Sequence, residues 1–61
     1  AFEHFKAAAE GGDSDAQYRL ASYYLNGWGA PKDNMKAWEW FVKAAKQGNE
    51  DALRFVNKGD F

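Results

Sequence analysis

The sequence predicts an all-α protein, an antiparallel helix-pair solenoid of four short helices, and three observations carry that prediction. The phrase AAEGGDSDA at residues 8–16 returns as AAKQGNEDA at residues 44–52. Laying Ala1 over Ala37, an offset of 36 residues, makes eight of 20 aligned pairs identical: Ala1/Ala37, Glu3/Glu39, Phe5/Phe41, Ala8/Ala44, Ala9/Ala45, Gly12/Gly48, Asp15/Asp51 and Ala16/Ala52. A period in the range of about 20–50 residues marks stacked units, none of which buries its apolar face alone. Apolar residues recur at helical spacing, and no run alternates as a strand would. Gly12, Gly27, Gly29, Gly48 and the single proline punctuate the joins of the helical runs.

The elements follow in order. Residues 1–12 read as the second helix of a preceding unit, and Gly12 ends it by accepting the left-handed conformation of a helix C-terminus. Asp13 then supplies an N-cap oxygen. A second helix runs from about Ser14 to Asn26, with Ala16, Leu20, Ala21 and Tyr24 on one face. In NGWGAPKD, Gly27 and Gly29 can take positive φ, Pro31 disfavours helix at Ala30, and Asp33 is placed to cap the next helix. That helix, residues 34–47, carries the small-residue stripe Ala37, Phe41, Ala44 and Ala45. Gly48 and Asn49 repeat the elbow, and Glu50 and Asp51, like Ser14 and Asp15, put acid in a first turn where the helix dipole favours it. A terminal helix follows, expected to be capped at Gly59, because Asn57, Lys58, Gly59 and Asp60 break the pattern of Ala21 to Tyr24. The chain thus divides into 1–12, one complete unit over 13–48, and a terminal helix over 49–61.

Composition limits the function classes. Sixty-one residues bury only about 60% of their unfolded surface, so the core is marginal. Hydrophobic residues at 46%, with eleven aromatics, place the chain among globular sequences. Eight basic against nine acidic residues leave a net charge of −1 and no basic stripe, which argues against nucleic acid as a partner. With no cysteine there is no disulfide, thiolate ligand or cysteine nucleophile. No apolar run approaches the roughly 18 residues of a membrane span, so no membrane insertion is expected. FEHFKAAAE lacks a signal-peptide shape. The chain starts without Met inside a helix and reads as a piece of something longer, so a missing signal does not exclude secretion of the parent.

The stretch DAQYRLASYYLNGWGAPKDNMKAWEWFVKAAKQGNEDA resembles the Sel-one-like repeat family, a branch of the tetratricopeptide superfamily. Ala16, Leu20, Ala21, Tyr24, Gly27, Gly29 and Asp33 carry the match, which continues through Ala37, Phe41, Ala44, Ala45 and Gly48. Ala21 stands where that family usually has glycine, and its methyl is expected to widen one helix crossing slightly. The resemblance implies a right-handed solenoid that serves as a non-catalytic adaptor for other proteins, common in bacterial envelope, secretion and signalling contexts and in eukaryotic quality-control complexes.

Candidate sites must be weighed against ordinary helical roles. NGWGAPKD lacks phosphate-loop spacing, follows a helix and places an acid at the cap, so it reads as a structural turn. His4 would need an acid and Ser14 or Ser22 beside it for hydrolysis, and both serines have helical roles. Asp13, Asp15, Glu50 and Asp51 match no calcium-loop spacing. No catalytic residue, metal or cofactor is therefore expected. Most of Phe2, Phe5, Trp38, Trp40 and Phe41 should form the inter-unit core. Trp28, between two glycines, either folds back on the helices, the favoured reading, or stands exposed as an anchor.

The inner wall of such a solenoid is made by the first helix of each pair, here 14–26. Tyr18, Arg19, Ser22, Tyr23 and Asn26 face away from its apolar side, and with Trp28 they are the expected partner-binding residues for a protein or peptide. Two other classes stay open. The chain could be a structural spacer, or could self-associate through open repeat ends, given the exposed Phe2 and Phe5. It could also bind envelope carbohydrate through Trp28.

Overall fold

The computed structural model describes residues 2–58; the cap expected at Gly59 lies outside the described residues. Four helices follow one another: α1 (Phe2–Glu10), α2 (Ser14–Asn26), α3 (Asn34–Lys46) and α4 (Glu50–Lys58). Among the described residues every regular element is a helix, so the protein is all-α.

The recurring phrase is the joint between helices. At the first elbow the Asp13 N–H donates to the Ala8 carbonyl (3.1 Å) and the Gly12 N–H to that of Ala9 (3.0 Å). At the second, the Asn49 N–H donates to the Ala44 carbonyl (3.1 Å) and the Gly48 N–H to that of Ala45 (2.9 Å). This paired closure, with glycine left-handed, satisfies carbonyls that the helix end would otherwise orphan. Gly12 and Gly48 have φ of 99° and 89°, where a Cβ would be strained. The residue after each glycine also starts the next helix. Asp13 Oδ1 accepts from the Asp15 and Ala16 N–H groups, and Asn49 Oδ1 from that of Ala52. One residue therefore closes one helix and caps another, which is why the elbow is so short.

The longer connection is tied down by backbone. The Trp28 N–H donates to the Tyr23 carbonyl and the Asp33 N–H to that of Tyr24, both at 2.9 Å. Asp33 Oδ1 then caps α3 through the Lys36 N–H. A Cβ on Gly29 would come within 3.2 Å of the Phe2 Cβ, so the loop passes over the start of α1. The end of α2 therefore lies beside the beginning of α1, and the two run antiparallel.

The core is built from small side chains. Ala9, Ala16, Leu20, Ala21, Tyr24, Ala37, Phe41, Ala44 and Ala52 are buried, and six of these nine are alanine. Methyl groups at the contact let helix axes approach closely, and α2 packs most extensively on α3. Ala21 is fully buried within this cluster. The larger aromatics depart from expectation. Of the five placed in the core, only Phe41 is buried; Phe2, Phe5 and Trp40 pack against its edge, half-buried, and Trp38 is also half-buried. A core closed by alanines has no room for so many rings, so they roof it instead.

One buried polar residue has no sign in the periodicity. Gln17, 5% exposed, donates from Nε2 to the Ala9 carbonyl (3.0 Å) and accepts through Oε1 from Gln47 Nε2 (2.8 Å). It ties the end of α1 to the start of α2 and the end of α3, which also places α2 and α3 antiparallel. Gln17→Met keeps the volume and removes both bonds. An expected cost of about 1–2 kcal/mol should lower the thermal midpoint by about 5–10 °C, read by far-UV circular dichroism. An unchanged midpoint would show that the amide contributes nothing net.

Candidate partner-binding face

The six candidate residues all lie on or just after α2, yet they split between two flanks. Tyr18, Ser22 and Asn26 form a column four residues apart: Ser22 Oγ donates to the Tyr18 carbonyl (3.1 Å) and Asn26 Nδ2 to the Ser22 carbonyl (2.9 Å). These two polar side chains are spent on their own helix. Tyr18 turns toward α3 and α4, with its ring edge-on to Phe41 at 5.5 Å. Phe41 in turn stacks on Phe55 of α4 at 3.9 Å and 19°.

Arg19 and Tyr23 turn the other way. The Arg19 guanidinium lies 5.7 Å from the Phe5 ring centre on α1. Tyr23 meets Phe5 edge-on (5.5 Å), stacks on Phe2 (6.2 Å) and meets Trp28 edge-on (6.0 Å). Trp28 both touches the helices and remains 57% exposed. The favoured folded-back reading is therefore only half right: the loop's backbone is pinned to α2, so the indole can rest one edge on Tyr23 while its other surface faces solvent. A shallow hollow of about 650 Å³ opens beside this flank, lined by Phe2, Glu3, His4, Lys6 and Gly29.

On the Tyr18 flank a groove of about 400 Å³ runs between α2 and α4, lined by Tyr18, Asp51, Arg54, Phe55 and Lys58. The last four were not among the expected partner-binding residues. The signal that could have found them is the repeat offset itself, which lays Tyr18 over Arg54, Arg19 over Phe55 and Ser22 over Lys58. If α2 provides one wall, its counterpart α4 provides the next. Arg54 and Asp51 form an exposed ion pair at 2.6 Å, three residues apart on α4. Aromatic rings at the bottom and exposed charged groups at the rim suit side-chain recognition, since aromatic and arginine side chains dominate contact energy at interfaces.

The described residues hold no cluster of three or more His, Cys, Asp or Glu that could grip a metal ion, and no described helix is long and apolar enough to cross a membrane. His4 is exposed, and its ring meets that of Phe5 edge-on at 6.0 Å.

Known proteins share this pattern. A family model described as Sel1 repeat matches residues 1–13 and 14–49. The chain is 43% identical over 51 residues, 84% of its length, to a putative sel1-like repeat-containing protein of Acanthamoeba polyphaga mimivirus. It is 41% identical over 58 residues, 95% of its length, to the chitin synthase regulator SKT5 of Saccharomyces cerevisiae. An uncharacterized Sel1-like repeat-containing protein of Schizosaccharomyces pombe is 41% identical over 49 residues, 80% of the chain. The matched stretch covers 9%, 8% and 7% of these relatives respectively. They are viral and fungal, and lend no support to the bacterial setting that the resemblance implied. No solved structure matches the chain significantly.

Proposed function

The chain belongs to the Sel1 repeat family, and from that premise we propose that it is a non-catalytic segment that grips a protein or peptide along the face shared by α2 and α4. Sel1 repeats generally mediate protein–protein interaction, and one relative is named as a regulator. In this reading residues 13–48 are one complete unit of a solenoid, and α2 and α4 are successive inner helices. The observation that carries it is the open groove in which Tyr18 and Phe55 flank the buried ring of Phe41. A pre-formed aromatic floor needs little ordering on binding, so more of the contact energy survives as affinity.

A second reading rests on the exposed face of Trp28 beside Tyr23, which suits a sugar ring or a partner's apolar side chain. The two flanks can be separated by mutation. Once a partner has been identified with the parent array, Tyr18→Ala in this chain is expected to weaken its binding about tenfold or more, the scale of an interface hot spot. Arg19→Glu, on the opposite flank, should then have the smaller effect, with the helical circular dichroism spectrum retained in both. Binding that survives both substitutions would reject the α2 face altogether. Loss on Trp28→Ala alone, or quenching of Trp28 by glycan fragments, would favour the second flank.

A further inference from the structure

We infer that the groove between α2 and α4 selects an acidic peptide segment, one that presents a carboxylate next to an apolar or aromatic side chain; this rests on the groove being the partner site. The chain as a whole carries a net charge of −1, yet the described residues that line the groove reverse that sign. Its lining holds one carboxylate, Asp51, against two cations, Arg54 and Lys58. Asp51 is already matched by Arg54 at 2.6 Å. Lys58 is exposed, at the last turn of α4, and pairs with no carboxylate among the described residues. Among the described residues, the groove therefore offers an ammonium matched by no carboxylate at one end and the half-buried rings of Tyr18 and Phe55 along its floor.

Charge complementarity follows from that arrangement. An acidic peptide can place an apolar side chain over the Tyr18 and Phe55 rings and a carboxylate at Lys58, forming a charge-assisted hydrogen bond. A basic peptide would gain the same apolar contact but bring like charge to Lys58 and Arg54, and like-charge juxtaposition is a means of excluding wrong partners. Because these charges are exposed, the discrimination falls as salt rises.

The test uses the whole chain with two fluorescein-labelled peptides, one alternating Glu and Leu and one alternating Lys and Leu, followed by anisotropy at low salt. The acidic peptide is expected to bind and the basic one to bind at least about tenfold more weakly. Lys58→Glu should weaken the acidic peptide about fivefold, and Lys58→Gln by less. Lys36→Glu makes the same change in net charge but sits over the Tyr24 ring, away from the groove, and should leave binding unchanged. Equal affinity for both peptides, equal effects of Lys58→Glu and Lys36→Glu, or equal competition by a sulfated oligosaccharide would overturn the inference. If a neutral Ser-Leu peptide then binds as well as the acidic one and is lost on Tyr18→Ala, the groove still stands as the partner site and only its acid preference falls. Peptide binding indifferent to Tyr18→Ala would remove the groove itself.

Discussion

Phe41→Ala is expected to cost about 3–5 kcal/mol and to leave the chain largely unfolded in plain buffer. Phe41 is 1% exposed and lies between Tyr18 of α2 and Phe55 of α4, so truncating it opens a cavity that alanine-lined helices cannot collapse to fill. A chain this short stands near the low end of the roughly 5–15 kcal/mol typical of domains. The repeat supplies its own control. Phe5 occupies the same position one period earlier but is only half-buried, with Arg19 and Tyr23 about it. Phe5→Ala should therefore cost about half as much, because the cost scales with the cavity left behind. Urea titration followed at the helical signal would measure both, and equal losses would show that the sandwich around Phe41 adds nothing to ordinary burial.

Leu20→Ala should cost about 2–5 kcal/mol, again with a counterpart for comparison. Leu20 is completely buried, on a helix that packs against α1 on one side and α3 on the other. Val56, its equivalent on α4, is half-buried, and α4 packs extensively on α3 alone. Val56→Ala should cost about 1 kcal/mol, near the transfer cost of its lost methyl groups. Similar losses at the two positions would mean that the neighbours on either side of α2 do not act together on its core face.

How far the sequence could be read depended on the range of the interactions that fix each feature. The elbows were legible letter by letter, since Gly12, Asp13, Gly48 and Asn49 each do a local job that few other residues can do. The face of α2 holding Ala16, Leu20, Ala21 and Tyr24 was legible because helical spacing alone brings those residues together. Gln17 was not, because its burial depends on Gln47, 30 residues away, and on a carbonyl at the end of another helix. The α4 wall of the groove was hidden differently. The offset marks its positions, but Arg54 stands at the place of Tyr18 and Phe55 at that of Arg19, so chemistry changes sign where geometry repeats. The same inequality is visible at Leu53, 38% exposed where its counterpart Gln17 is 5% exposed. Trp28 escaped a clean reading since a ring between glycines can rest an edge on Tyr23 without being covered.

At the residue that follows the left-handed glycine the two elbows differ, Asp13 in one and Asn49 in the other, and the difference behaves like grammar. Asp13 uses its carboxylate on backbone N–H groups of its own helix, while Asn49 caps α4 with Oδ1 and donates from Nδ2 to Asp15 Oδ1 at 3.1 Å. A carboxylate at 49 would cap equally well but would set a second negative charge against Asp15. The amide at this position thus declares what lies across from it, as an inflected ending declares its neighbour in a sentence. Within this chain the choice of Asn over Asp at the second elbow spells out, in one amino-acid letter, that the joint faces an acid.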